Sequence, residues 1–342
     1  MIGLTYSPSD VVKEGGTIVF RSSNIQDGVI DYGDLVRVSK KIKDSIITRD
    51  GDLLICARNG STRLIGKNAL LKKSDEGQTF GAFMMVFRSI DNRFVHQLLS
   101  TKAYSTQVSE NLGARINQIT TRNFAEYTFG MPQTSEEKEK IGTFLELIND
   151  RIETQSKIIE EQETLLRSLR HKLFNQCLDS HTQCRIGDIL SIGSGKDYQH
   201  LREGEIPVYG TGGLISHVNE SLYDGESVCI GRKGTINKPL YLSGRFWTVD
   251  TLFYTHSFNG ILPRFCYHLF CTIDWLTYNE ASGVPSLSKS TIEKILVSIP
   301  QIDIQKRIVQ ILDSIEEKIN IDRNTLLDYQ KQKIHLLSRM FI

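Results

Sequence analysis

Apolar residues between positions 141 and 173 recur at steps of three, four and seven. This spacing places them along one stripe of an α-helix and is typical of the a and d positions of a coiled coil. Gln155 and Gln162 are the polar members of the stripe. The pattern predicts a long helix over residues 136–177, with its seam at Ile141, Leu145, Ile148, Ile152, Ile159, Leu166, Leu169 and Leu173.

The stripe recurs near the C-terminus at an offset of 308 − 141 = 167 residues, where Asp322 matches Gln155. MPQ precedes the first helix and IPQ the second, and an aromatic residue, Phe174 or Phe341, ends each. Two unrelated amphipathic helices are the simpler alternative, but chance does not account for matching flanks. The second seam is Ile308, Leu312, Ile315, Ile319, Asp322, Leu326, Tyr329, Lys333, Leu336 and Met340.

The chain is therefore predicted to have the order unit, helix, unit, helix, with boundaries at 1–131, 132–178, 179–299 and 300–342. Its 342 residues suffice for two domains. The expected fold is α/β, with two pseudo-symmetric domains separated by a long antiparallel two-helix coiled coil. No proline interrupts either seam, so the helices should be rigid. Gln155 and Asp322 are expected to fix the register, or else to lie in a solvated gap.

The first unit places polar side chains after β-rich runs. Residues 17–20 and 80–87 read as strands and 94–108 as helical, and an Asp-Gly turn precedes a buried strand that ends at Arg58. Arginine and asparagine bond well to base edges, which favours a nucleic-acid site. A polar hairpin loop, a helix cap or carboxylate-paired arginines would explain the same residues. The candidates are Arg21, Ser22, Ser23, Asn24, Arg58, Asn59, Arg63, Lys67, Gln118 and Arg122.

The second unit repeats this order with different side chains. Aligning the Asp-Gly strands at 232 − 58 = 174 places Arg232 on Arg58 and Lys233 on Asn59. A shared framework with divergent outward residues is expected of a protein that reads two different ligand halves. The candidates here are Tyr209, Thr211, Arg232, Lys233, Lys238, Ser288 and Lys289.

Overall composition makes no case for nucleic acid. Net charge is +1, with a balance of 17 − 13 = +4 in residues 1–131 and 10 − 12 = −2 in residues 179–300. DNA binding would then require local patches and basic surface from another subunit. The six cysteines show no zinc-ligand spacing, and no apolar run approaches the ~20 residues that span a bilayer. These features predict a cytoplasmic protein without membrane contact.

The sequence contains no recognisable catalytic motif. The GSGK at residues 193–196 lacks the upstream glycine of a phosphate loop, and Asp197 replaces the magnesium-binding Ser or Thr. No dinucleotide fingerprint, NPPY or DPPY methylation motif, or HExxH occurs, and the histidines are scattered. The chain is predicted not to be an enzyme.

Several stretches carry a family resemblance: GDLLICARNGS and GESVCIGRKGT, the loop RSSNIQDG, and MPQTSEEKEKIGTFL with its repeat IPQIDIQKRIVQIL. Through them the chain resembles, over essentially its full length, the DNA-specificity (S) subunit of a type I restriction-modification system. It departs at one place, because residues 184–192 have no counterpart before Gly3. Either the repeat has diverged there or the sequence begins late in the first unit.

The resemblance implies that each globular unit is a target recognition domain reading one half of a split DNA sequence. The helices would set the separation of the two domains and dock methyltransferase (M) subunits, two per chain, with restriction (R) subunits joining through the complex. It implies no cofactor on this chain and S-adenosylmethionine in the methyltransferase subunit. A self-contained nuclease or methylase, and a scaffold that holds two protein ligands without DNA, are the alternatives.

Overall fold

The computed structural model describes residues 3–112, 117–176 and 182–341. The chain forms two compact units, Met1–Gln155 with Thr325–Ile342, and Ser156–Asn324. The division falls inside both long helices, so each unit combines a globular part with one segment of each helix. Among the described residues, no helix is both long and apolar enough to cross a membrane.

Short strands dominate both globular parts. The strands are β1 (Val11–Val12), β2 (Thr17–Phe20), β3 (Ile25–Gln26), β4 (Val29–Ile30), β5 (Val36–Val38), β6 (Leu53–Cys56), β7 (Asn68–Leu70), β8 (Thr79–Phe80), β9 (Met84–Phe87), β10 (Thr182–Arg185), β11 (Ser191–Ser194), β12 (Ile206–Gly210), β13 (Gly213–Val218), β14 (Tyr223–Asp224), β15 (Ser227–Gly231), β16 (Leu240–Leu242), β17 (Arg245–Thr248), β18 (Leu252–His256) and β19 (Leu296–Ile299). The helices are α1 (Asn92–Leu98), α2 (Lys102–Asn111), α3 (Thr121–Glu126), α4 (Ser135–Gln176), α5 (Ile186–Ile189), α6 (Pro263–Phe270), α7 (Lys289–Lys294) and α8 (Ile302–Met340).

The first unit is built around strand β6. Its sheets have the orders β1-β5-β2-β8 and β7-β6-β9, with β3-β4 as a separate hairpin. All four residues of β6 are buried, and alternate side chains point to opposite faces. Leu54 packs with Phe20 and Phe80, whereas Leu53 packs with Tyr104. The segment after β6 is therefore anchored between two cores.

The second unit is organised similarly around strand β15. Its sheets have the orders β11-β18-β15-β16, β13-β12-β17-β14 and β10-β19. All five residues of β15 are buried. The hydroxyl groups of Ser227 and Thr255 accept the backbone N–H groups of Thr255 and Val228, at 2.9 and 2.8 Å, so these two buried hydroxyl groups are paired.

Two predicted elements of the first unit are each divided in two. The strand predicted over 80–87 is interrupted at residues 81–83, where a turn separates β8 from β9. The helix predicted over 94–108 breaks because Thr101 caps a new helix by accepting the N–H of Tyr104. The strand predicted at 17–20 coincides with β2.

Helices α4 and α8 run antiparallel within each unit, which confirms the predicted pairing. In the first unit, Leu145 and Ile148 near the start of α4 pack with Leu337 near the end of α8. In the second unit, Arg323 forms an ion pair with Glu163 at 2.5 Å. Every predicted seam position is buried or half-buried.

The polar positions of the seam have different neighbours in the two units. Asp322, which is 7% exposed, accepts a hydrogen bond from the amide of Gln162 at 2.8 Å, and the ammonium of Lys318 lies 3.1 Å from it. In the other unit Gln155 and Tyr329 line one cleft, and Tyr329 is the counterpart of Gln162 at 329 − 162 = 167. Gln155 and Asp322 are therefore equivalent positions of the repeat, as predicted from the offset of 167.

The two units repeat the contacts that join the globular part to the helices. Phe94 of α1 packs on Phe341 at the end of α8, with ring centroids 5.3 Å apart, and Phe265 of α6 packs on Phe174 of α4 at 4.9 Å. These contacts explain the aromatic residue that ends each seam. The neighbouring ion pairs also correspond: Arg93 with Glu146 at 3.3 Å and Arg264 with Asp313 at 2.8 Å.

Candidate nucleic-acid interface

The candidate site of the first unit lies where three segments meet at the end of β6. The N–H groups of Ala57 and Arg58 both donate to the carbonyl of Phe83, at 2.9 and 3.0 Å. The carbonyl of Ala57 accepts the N–H of Ile119 at 2.8 Å, and Arg58 forms a β-bridge with Gln118. The backbone thus brings two predicted residues, Arg58 and Gln118, side by side.

The side chain of Arg58 is exposed and lies over an aromatic ring. Its guanidinium carbon is 5.3 Å from the centroid of Phe83, close enough for a cation–π contact. In the described part of the chain, no carboxylate forms a salt bridge with Arg58. Its donors are therefore available to a ligand.

Hydrogen bonds hold the loop of residues 21–26 close to the segment that follows β6, which forms one edge of the unit. The amide of Asn59 donates to the hydroxyl of Ser22 at 3.0 Å, and the ammonium of Lys67 donates to Gln26 at 3.1 Å. Ser23 is exposed on the same loop. Ser22, Asn59 and Lys67 therefore lie close to Arg58 but are held by partners within the unit.

Asn24 does not fit its predicted role, because its side chain is fully buried. Its oxygen accepts the N–H of Arg21 at 2.9 Å, and its amide donates to the carbonyl of Asp34 at 2.8 Å. The guanidinium of Arg21 is paired with the Asp34 carboxylate at 2.7 Å. Arg21 and Asn24 therefore shape the loop, and carboxylate pairing, one of the alternatives, holds for Arg21.

The remaining predicted residues of the first unit lie at exposed positions. Arg63 is exposed on a short turn over Thr62–Leu64. Arg122 is exposed on α3, where it pairs with Glu126 at 3.0 Å. Such a surface ion pair contributes little to stability, so Arg122 can exchange it for another anion at small cost.

The second unit reproduces the same backbone arrangement. The N–H groups of Arg232 and Lys233 both donate to the carbonyl of Thr251, at 2.8 and 3.3 Å, and the carbonyl of Arg232 accepts the N–H of Leu287 at 2.9 Å. Lys233 forms a β-bridge with Ser286. The segment after β15 is therefore anchored as the segment after β6 is.

These bonds correct the alignment of the two units by one residue. Arg232 makes the backbone bonds of Ala57, so the offset is 232 − 57 = 175 and not 174. Lys233 is then the counterpart of Arg58, and Ser286 that of Gln118. Arg232 itself is exposed, with its guanidinium carbon 6.0 Å from the centroid of Phe253.

The other predicted residues of the second unit divide between its surface and its core. Thr211 lies beside Gly234, whose φ of 94° suits glycine and whose N–H donates to Pro285 at 2.8 Å. Lys238 is exposed. Tyr209 is instead partly buried and packs against the core cluster that contains Phe246, so its side chain is less exposed than expected of a DNA-binding residue.

A carboxylate accompanies the predicted serine and lysine at helix α7. Ser288 caps this helix by accepting the N–H of Thr291, and its hydroxyl donates to Glu280 at 2.8 Å. Hydrogen bonds from Thr291 and then Ser288 lower the pKa of the Glu280 carboxyl group. Half-buried Lys289 begins the helix. This edge thus carries a fixed negative charge beside its basic residues.

The cysteines beneath both edges are unsuited to nucleophilic chemistry. Burial raises the pKa of the Cys56 thiol and raises that of Cys229 to about 12, so both are neutral at physiological pH. The predicted residues can therefore donate and accept hydrogen bonds and attract anions, without a thiolate among them.

One cluster in the second unit has the composition of a metal site. In the described part of the chain, the ligand atoms of His268, Asp313 and Glu316 lie within 4.8 Å of one another. Two guanidinium groups already occupy its carboxylates: Arg264 pairs with both, and Arg170 pairs with Glu316. The donor set fits an ion-pair network between α6 and the helices and does not fit a cation site.

Phe83 and Glu280 belong to these edges but were not predicted from the sequence. Phe83 was assigned to a continuous strand, whereas the turn before β9 leaves its ring 57% exposed. The glycine at position 81 was the available signal for that turn. Glu280 lies in a segment without regular structure and joins the site through hydrogen bonds that span eight residues or more.

The architecture is a duplicated α/β protein whose two halves each contain a segment of two paired long helices. A family model described as type I restriction modification DNA specificity domain matches residues 3–164 and 181–328. The chain belongs to this family, and the match covers both halves of the repeat.

Solved structures share the fold. The S subunit of a type I restriction-modification system from M. genitalium superimposes with a TM-score of 0.72 at 18% identity, over 100% of this chain and 93% of that chain. This likeness confirms the predicted α/β fold, with two recognition-domain-like halves and two long helices in contact.

Curated relatives are similar over shorter segments. The EcoKI specificity subunit of Escherichia coli (strain K12) is 31% identical over 154 residues, covering 42% of this chain and 33% of that protein. The StySPI specificity subunit of Salmonella potsdam is 28% identical over 196 residues, covering 53% and 42%. The matches thus span less than half the length of either relative.

Proposed function

We propose that this chain is the DNA-specificity subunit of a type I restriction-modification complex and that each unit reads one half of a bipartite duplex target. The observation that carries the proposal is the repeated backbone edge with different side chains. Arg58 and Gln118 stand at positions occupied by Lys233 and Ser286 in the other unit. Arginine and glutamine recognise base edges differently from lysine and serine, so one scaffold would read two sequences.

The proposed DNA-binding set retains the exposed predicted residues and their loop neighbours. Asn24 is withdrawn because it is buried, and Arg21 is assigned to support of the loop. With a net charge of +1, the chain alone should bind DNA weakly, since neutralisation of phosphates supplies most affinity. The partner subunits would supply the missing basic surface.

We further propose that the paired helices dock two methyltransferase subunits per chain, with restriction subunits joining through that complex. Phe144 on α4 and Ile311 on α8 are equivalent at 311 − 144 = 167 and are similarly exposed, at 46% and 47%. Repeated apolar surface of this kind supports binding of two copies of one partner. In this proposal catalysis and S-adenosylmethionine belong to the methyltransferase subunits, and the complex acts in the cytoplasm.

We also propose that the helices fix the spacing of the two recognition units. Two readers held by rigid helices can occupy the major groove together only at one separation and one helical phase. The absence of proline from both seams supports such rigidity. The helices would thereby set the gap between the two half-sites.

Methylome sequencing tests the proposal. Cells that express the chain with its methyltransferase subunits should acquire methylation at one split motif with a fixed gap, and cells lacking the chain should not. The purified complex should then bind a duplex carrying both half-sites more tightly than one carrying either alone. Methylation unaffected by removal of the chain, or binding of two protein ligands without DNA, would contradict it.

A further inference from the structure

Phe83 is a large apolar side chain in the middle of a polar edge. Its ring is 57% exposed, although it lies beside Arg58, the residue that forms a β-bridge with Gln118. Single exposed apolar residues are common on protein surfaces, so exposure alone has no functional meaning. The position of Phe83 is distinguished by how firmly it is held and by what replaces it in the other unit.

The backbone of Phe83 is fixed from two sides. Its carbonyl accepts the N–H groups of both Ala57 and Arg58, and its turn is closed by the N–H of Met84, which donates to Gly81 at 2.9 Å. Strand β9 begins at the next residue and pairs with buried β6. The ring is therefore presented from a rigid support, as a specific contact requires.

The second unit carries a different residue on the same support. Thr251 accepts the corresponding pair of N–H groups, from Arg232 and Lys233. A bulky aromatic side chain in one unit is thus replaced by a small hydroxyl-bearing one, while the backbone bonds persist. This is the pattern expected of a residue that distinguishes two half-sites.

We infer that Phe83 is a specificity-determining residue that contacts the 5-methyl group of a thymine in the half-site read by the first unit. The inference rests on the proposed function. Thymine displays this methyl group in the major groove, where phenylalanine can contact it, whereas Arg58 suits a guanine. The 5.3 Å between guanidinium and ring is between one and two rises of about 3.4 Å per base pair, so the thymine should lie one or two base pairs from that guanine.

Uracil substitution isolates the methyl group, since uracil differs from thymine by that group alone. The assembled complex is titrated with its target duplex, in which each thymine of the two half-sites is replaced by uracil in turn. Phe83→Thr reproduces the residue of the second unit, and Phe83→Leu keeps an apolar contact. Thr251→Ala is the matched control at the equivalent position, and thermal unfolding checks that each variant is folded.

Replacement of one thymine within two base pairs of a guanine should weaken binding by the wild type about fourfold, the value of one buried methyl group. The same replacement should have no effect on Phe83→Thr, part of its effect on Phe83→Leu, and its full effect on Thr251→Ala. The inference about Phe83 would be overturned, and the proposed function left intact, by either of two results. One is equal uracil sensitivity of the wild type and Phe83→Thr at every position, and the other is a half-site without thymine. Absence of sequence-specific binding by the wild type would overturn the proposed function as well.

Discussion

At the scale of single residues, Asn24 shows how burial changes the role of a polar side chain. It bonds the backbone of Arg21 and Asp34, so Asn24→Ala should leave buried polar groups unpaired and lower the free energy of unfolding by about 1–3 kcal/mol. Urea denaturation measures the loss. Ser23→Ala, at the exposed neighbouring position, should change stability by about 0.5 kcal/mol or less. Equal effects of the two substitutions would contradict a supporting role for Asn24.

His96 predicts a dependence of stability on pH. Burial, with a further contribution from the charge of Lys333, lowers its pKa to about 4, while the carbonyl of Gly28 acts in the opposite direction. In the unfolded chain the imidazole of His96 has a pKa near 6.5. As the pH falls from 6.5 toward 4, it therefore binds a proton in the unfolded state before it does so in the folded state. This group therefore destabilises the fold on acidification, by about 2 kcal/mol between pH 7.5 and pH 5.

Urea denaturation at those two pH values, on the wild type and on His96→Gln, checks this assignment. The wild type should lose more stability on acidification than the variant, by about the same 2 kcal/mol. An identical pH dependence in both proteins would show that His96 is not the group responsible.

At the scale of elements, the bond between Gln162 and Asp322 is a buried polar layer within the helix pair. Asp322→Ala should leave the Gln162 amide unpaired and cost about 1–3 kcal/mol, whereas Gln162→Leu combined with Asp322→Leu should restore much of the loss. Lys318→Ala removes only the more exposed partner of Asp322 and should cost about 0.5 kcal/mol. Chemical denaturation would refute the assignment if the double substitution were the least stable of the three.

The elements that could be predicted from the sequence are those with a local signal. The seams of α4 and α8 follow from apolar periodicity, and β6 from an apolar run after an Asp-Gly turn. The break between α1 and α2 has no glycine or proline to mark it, because the cap at Thr101 competes with continuation of the helix.

The candidate site was less predictable, because long-range bonds decide its geometry. The position of Arg58 just after β6 could be predicted from the apolar run of that strand. The one-residue shift between the units could not, because it depends on which N–H groups bond to the carbonyls of Phe83 and Thr251. The burial of Asn24 depends likewise on carbonyls seven and ten residues further along the chain.

At the scale of the whole molecule, the proposed spacing role can be tested by lengthening both helices. Insertion of four residues after Gln155, and of four at the facing part of α8, adds about one turn, or ~6 Å, to the helix pair. The methylated motif should keep both half-sites and gain a gap longer by a base pair or two, as read by methylome sequencing. Methylation only at the original gap would contradict the spacing role, and subunit docking would then be the remaining proposed role of the helices.

In the proposed function, the two units read their half-sites independently. The most direct test is methylome sequencing of cells that express Arg58→Ala or Lys233→Ala, the two equivalent substitutions, with the methyltransferase subunits. Each should relax base preference in one half-site, a different one for each variant, by the equivalent of about 1–3 kcal/mol per lost contact. Independent reading would be contradicted if either single substitution relaxed both half-sites, or if neither substitution relaxed any half-site.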